Sequence, residues 1–197
     1  MLKFILNKFS CTRNYVCYFF FSDKLLSLFE FIYKVTSITL KTLKLDEYFP
    51  ALLLFLSNKM SLGAHQLYSE LFDITVTDWR VISLLALEPE ISAKRVCQVI
   101  GLDKGTVSRT IARLAKDHMI EILNDPTDGR SNLLVLSKKG LEIHEQAIEI
   151  ALEREKKILK KLTKDEVKEL IRILNILNND INDVNSVMSK KYLKTDK

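Results

Sequence analysis

The sequence predicts a mainly α-helical chain with one small β-hairpin, an α+β fold in which helices dominate. Three observations predict it. Beyond residue 45, apolar residues recur at intervals of three and four, the spacing of helices with one buried face. Two short β-compatible runs, Ile120-Glu121-Ile122-Leu123 and Asn132-Leu133-Leu134-Val135-Leu136, flank a stretch of turn formers from Asn124 to Ser131. Ser, Thr or Asp heads most helical stretches, where a side-chain oxygen can accept from unpaired backbone N–H groups.

Taken in order, Asp46 to Leu71 reads as a helix with Pro50 near its start and an apolar run through Leu52, Leu53, Leu56, Met60, Leu67 and Leu71. Thr75, with Asp78 three residues on, forms a capping-box variant. It opens a helix from Val76 to Leu87, packed through Trp79, Ile82 and Leu85 and ended by Pro89. Ser92 caps a short helix whose Val96, Val99 and Ile100 are expected to face the core. Gly101 then supplies a turn that needs positive φ, Leu102 plugs the corner, and Asp103 caps a second helix, Lys104 to Leu114. Val107, Ile111 and Leu114 share one face, leaving Lys104, Thr106, Ser108, Arg109 and Arg113 on the outer faces. Helix, tight turn, helix and hairpin make the layout of a winged helix-turn-helix. From Ser137 a long charged and apolar helix follows. Thr163-Lys164-Asp165-Glu166 restarts a final helix carrying Val167, Leu170, Ile171, Leu174, Leu177, Ile181 and Val184.

The outward residues of the second helix are short hydroxyls and long cations. Hydroxyls contact bases or phosphates, and an Arg grips guanine through two parallel hydrogen bonds. Cations near phosphates release counterions and supply affinity that is independent of sequence. In the hairpin tip, Arg130 is placed to enter a minor groove, where negative potential is focused, and Asp128 to hold its guanidinium through charge-assisted bonds. The plain alternatives are a solvated amphipathic helix and an ordinary polar turn.

Four segments, TVTDWRVISLLA (75–86), GLDKGTVSRTIARL (101–114), DPTDGR (125–130) and LSKKG (136–140), occur in the order and at the spacing of the MarR family of bacterial transcription regulators, which the chain resembles from about Leu45 to Met188. The resemblance implies a winged helix-turn-helix with N- and C-terminal dimerisation helices, working as a homodimer on double-stranded DNA. It places the segment 103–113 in the major groove and Arg130 in the minor groove. The residues it carries to DNA contact are Lys104, Thr106, Ser108 and Arg109 in the recognition helix, and Asp128 and Arg130 in the wing, with Arg113 on a phosphate. It also implies a pseudo-palindromic promoter site, repression as the common mode, and release by a small aromatic (phenolic) effector or an oxidant. Two positions depart from the family pattern. Gly105 stands where Ser or Pro is usual, which puts family-like base preferences in doubt, and His118 replaces a common helix-ending Gly. The competing reading is a dimeric winged-helix interaction module that has lost DNA binding; Arg109, Asp128 and Arg130 argue against it.

Domain boundaries follow: an extension over 1–45; a domain over 46–188, with dimerisation helices at 46–71 and 137–188 and the DNA-binding lobe at 75–136; and a polar tail over 189–197. The chain has 197 residues and a net charge of +5. Residues 1–45 hold seven Lys or Arg and two acids, enough to account for all of it. The remainder is neutral, with positive charge local to Lys94, Arg95, Lys104, Arg109 and Arg113 against Asp103; this distribution, rather than the total, supports a nucleic-acid partner. Asp23, Lys24 and Glu30 interrupt the best membrane-span candidate. Three readings of the extension stay open: a start assigned upstream of a natural one near Leu43 or Leu45, a helical extension packing on the dimer, or a membrane-surface amphipath.

Three cysteines, Cys11, Cys17 and Cys97, form no disulfide framework and fit a cytoplasmic chain; Cys97 reads as a small buried residue. His65, His118 and His144 show no metal-site spacing and read as surface or helix-end residues. There is no phosphate-cradling Gly loop, nucleophile elbow or His-Glu-x-x-His, so neither an enzyme nor a cofactor is expected.

Overall fold

The structure, a computed structural model, describes residues 42–126 and 131–193. The expectations for the first 41 residues, including Cys11 and Cys17, and for Asp128 and Arg130 lie outside these. The chain divides into two compact units, residues 1–53 and 54–197. In the first, the backbone N–H groups of Glu47 and Tyr48 both bond to the Lys44 carbonyl, and helix α1 (Phe49–Phe72) starts after that turn. The start falls three residues later than expected. Pro50 is then in the first turn, where its missing N–H leaves no bond unmade.

The second unit continues α1 and adds α2 (Val76–Leu87), β1 (Ile91–Ser92), α3 (Ala93–Ile100), α4 (Lys104–Lys116), β2 (Ile120–Asn124), β3 (Asn132–Leu136), α5 (Lys138–Leu159) and α6 (Lys164–Tyr192). The hairpin belongs to a three-stranded antiparallel sheet in the order β1-β3-β2, with Ile91 opposite Leu134 and Ile122 opposite the same residue on the other side. A two-residue strand carries no periodicity, so β1 was not expected. Thr75, Ser92, Asp103, Ser137 and Thr163 all cap helices as side-chain acceptors, Thr75 and Thr163 within full capping boxes.

Val81, Ile82 and Leu85 of α2, Val96 of α3, Val107, Ile111 and Leu114 of α4, and Ile120 and Leu134 of the sheet form the centre of one core, joined by Tyr68 and Ile74. Trp79, Ile100 and Leu102 pack at its edge. Val99 departs from expectation: it is 43% exposed, because an eight-residue helix meets its neighbours over little more than one turn, centred on Val96. The apolar stripes of the outer helices are also not core within the chain. Leu56, Met60 and Leu71 of α1 are exposed, as are Leu170, Ile171, Leu174, Leu177, Ile181 and Val184 of α6. Helix α6 runs to Tyr192, four residues into the expected polar tail. Among the described residues no helix is long and apolar enough to cross a membrane.

Candidate nucleic-acid interface

Gly101 ends α3 in the left-handed conformation, φ 74°, as the turn requires. Asp103 then begins α4, and its carboxylate accepts from the Thr106 backbone N–H at 2.9 Å and from the Thr106 hydroxyl at 2.6 Å. Those two donors, hydroxyl first, hold the Asp103 carboxyl below the ordinary aspartate range; the Gly105 N–H and the Arg109 charge act in the same direction. Arg109 Nη2 donates to Thr106 Oγ1 at 3.1 Å. With Val107, Thr110, Ile111 and Leu114 buried, Lys104, Ser108 and Arg109 are exposed and Thr106 is half-buried. The structure brings these four to one exposed side of α4.

Arg113 behaves differently from the outward cation expected. Its Nη2 donates to Thr75 Oγ1 at 2.9 Å and to Asp78 Oδ1 in a short ion pair. Asp78 is only 1% exposed, and its second oxygen accepts from the Thr75 backbone N–H at 2.7 Å and hydroxyl at 2.9 Å. Helix α4 is therefore pinned to the N-terminus of α2 by a guanidinium on a buried carboxylate. Sequence reasoning read Asp78 only as a cap. Its position four and seven residues before Ile82 and Leu85 was the available sign that it faces inward. Arg95 is likewise engaged, bidentate with Glu88 at 2.8 and 2.9 Å.

The wing is anchored at its base. Strands β2 and β3 pair from Ile120–Leu136 out to Asn124–Asn132, and the Asp125 N–H bonds to the Ser131 carbonyl at 3.0 Å. The root of the wing is locked to α5. Ser137 Oγ donates to the His118 carbonyl at 2.7 Å and accepts from the Gly140 N–H at 3.1 Å, while Lys139 Nζ reaches the Asp117 carbonyl at 2.9 Å. A Cβ on Gly140 would lie 2.0 Å from the Met119 carbonyl oxygen, so the Leu-Ser-x-x-Gly pattern has a physical reason in this close crossing. His118 has φ 57°, filling the helix-ending position where Gly is common.

A cavity of about 500 Å³ opens between α3, α4 and the sheet, with Lys94, Lys104 and Ser108 at its polar parts and Ile111 and Leu134 among its apolar ones. Cys97 lines it and is half-buried, rather than enclosed as expected. His144 is not a plain surface residue either: its ring stacks on Trp79 at 5.6 Å. Among the described residues no group of His, Cys, Asp and Glu could hold a metal ion.

Fold and surface together define a winged helix-turn-helix lobe. The sequence profile of the MarR family matches residues 72–131. A MarR/EmrR family transcriptional regulator from Acinetobacter sp. ADP1 shares 32% identity, covering 72% of this chain and 99% of its own, with a TM-score of 0.67. A mutant of MarR from E. coli complexed with operator DNA shares 26% identity over 64% of this chain and 90% of its own, with a TM-score of 0.58. The HTH-type transcriptional regulator SarZ of Staphylococcus haemolyticus (strain JCSC1435) is 25% identical over 91 residues, 46% of this chain. The match spans 62% of that curated relative's length. The chain belongs to the MarR family of transcriptional regulators.

Proposed function

We propose that this chain is a homodimeric regulator that binds pseudo-palindromic promoter DNA, with α4 in the major groove and Arg130 of the wing in the adjacent minor groove, and that it represses by occluding the promoter. The observation that carries the reading is the outer side of α4. Lys104, Ser108 and Arg109 stand exposed on a helix whose opposite stripe is sealed into the core, the disposition a groove-reading helix needs. The E. coli relative, at 26% identity, is a complex with operator DNA, which supports the same partner here. Lys104, Thr106, Ser108 and Arg109 are the proposed recognition-helix contacts, Asp128 and Arg130 those of the wing, and Arg113 acts first as a tether.

The homodimer is supported by the exposed apolar residues along α1 and α6, helices assigned with α5 to dimerisation over 46–71 and 137–188, flanking a lobe over 75–136. Two copies related by a two-fold axis present their recognition helices about one DNA turn apart. Release follows when a small aromatic acid or an oxidant favours a different spacing of those helices. A chromosomal partner places this work in the cytoplasm.

Fluorescence anisotropy against the gene's own upstream promoter, with scrambled DNA of equal length at two salt concentrations, tests the reading. Selective binding that weakens with salt supports it, and Arg130→Ala should then cost about 1–3 kcal/mol. No binding to either duplex would instead favour the interaction-module reading.

A further inference from the structure

Gly105 sits one turn before Arg109 on the outer side of α4. A Cβ at Gly105 would lie 3.3 Å from Arg109 Nη1 and 3.1 Å from Asp103 Oδ1. Both distances are tighter than ordinary contact, so a side chain there requires the guanidinium or the carboxylate to give by a few tenths of an ångström, enough to lengthen the 3.1 Å bond from Arg109 to Thr106. Without one, Arg109 folds back along the first turn of α4 and donates to Thr106 Oγ1 at 3.1 Å, and that hydroxyl is itself bonded to Asp103 at 2.6 Å. A guanidinium near a helix N-terminus opposes the helix dipole; the Asp103 carboxylate offsets this. The result is a long side chain, ordinarily free to sample many rotamers, held at the end of the recognition helix that approaches base edges.

We infer that Gly105 is a specificity-determining position: by leaving room for Arg109 to lie against Thr106 and Asp103, it aims the guanidinium at a guanine in a fixed place of each half-site. Gly105 is a positioning residue, Arg109 the reader. The inference rests on the DNA-binding reading above and deepens it.

The test is a selection of bound duplexes from a randomised pool, using the full chain as wild type, Gly105→Ala and Arg109→Gln, with the melting temperature measured for each. The wild type should enrich a G·C pair at one position of each half-site, and Arg109→Gln should lose it. Gly105→Ala should weaken that preference by about tenfold, the scale of one bidentate base contact, while other positions keep theirs. Its melting temperature should hold or rise, because Ala is the better helix former and the crowded neighbours are side-chain ends that can move. A purely structural glycine would lower the melting temperature on substitution and leave base preference alone. Gly105→Ala with the wild-type preference overturns this inference while leaving DNA recognition standing. A wild type that enriches no sequence overturns the functional reading and this inference with it.

Discussion

Replacing Arg113 by Met tests the tether between α4 and α2. The methionine keeps most of the side chain's apolar length and removes the guanidinium. Asp78 is 1% exposed, and one of its oxygens has Arg113 as its partner while the other is served by Thr75 at 2.7 and 2.9 Å. Breaking a fully buried ion pair costs about 3–5 kcal/mol. The Arg113 side chain is 39% exposed, so water screens part of the attraction and can reach the orphaned oxygen. The expected loss is therefore about 2 kcal/mol, near the value of one hydrogen bond to a charged group, or a fall of roughly 4–8 °C in melting temperature for a chain of this size. Urea unfolding at one fixed protein concentration measures it, since subunit association makes stability depend on concentration. The cycle with Asp78→Asn and the double variant should give a coupling of about 1–2 kcal/mol. A single variant within about 0.5 kcal/mol of wild type, as for an ordinary surface change, together with no coupling, would refute the tether and return Arg113 to the phosphate role first read for it.

Gly140→Ala must displace the Met119 carbonyl, 2.0 Å from the added Cβ. It should lose about 3 kcal/mol, the upper range for overpacking, by the same urea assay; unchanged stability would mean the crossing is loose. The backbone N–H and hydroxyl of Thr163 hold the Glu166 carboxyl below its ordinary 4.5, so it stabilises the fold above that pH and this is lost as pH falls through the lowered value. The stability gap between wild type and Glu166→Gln, open at pH 7, should close in acid, and a gap independent of pH would count against the capping box. Lys104→Ala should reduce the slope of log K against log salt by about 0.9, the effect of one phosphate contact, equally on promoter and scrambled DNA. An unaltered slope would remove Lys104 from the backbone contacts.

What the sequence made legible was the part set by local chemistry. Asp103, Thr75 and Thr163 announce helix starts because a capping oxygen must sit next to the donors it serves. Gly101 marks a left-handed position for a similarly local reason, whereas His118 could be placed only through the family resemblance. The stripe Val107, Ile111 and Leu114 shows which side of α4 is buried, and so which side is left exposed. Contacts between distant elements were less legible. The Asp78–Arg113 pair joins residues 35 apart, and β1 exists only because β3 is there to pair with it. Gly105 was read only as a departure from the family pattern, since its use to Arg109 depends on where a flexible guanidinium comes to rest. The outer helices reverse the usual inference from apolar spacing: the stripes of α1 and α6 were visible in the sequence, but among the described residues they stay exposed.

That exposure links assembly to DNA reading. Helix α6 is 29 residues long and has no buried residue, while Leu170, Leu174, Leu177, Ile181 and Val184 lie open along it. Most helical stability in proteins comes from packing an apolar face rather than from propensity, so α6 needs a cover, and a second copy of the same stripe can provide one through a self-complementary two-fold contact. In the dimer proposed above, each protomer would carry one recognition helix, and one half-site would supply only part of the phosphate contacts that dominate affinity. In the proposed dimer, association that stabilises the outer helices would therefore also set the distance between the two recognition helices. Dilution below the dimer's dissociation constant should weaken outer-helix structure and operator affinity over the same concentration range, whereas a chain whose helices stayed formed as a monomer would separate the two.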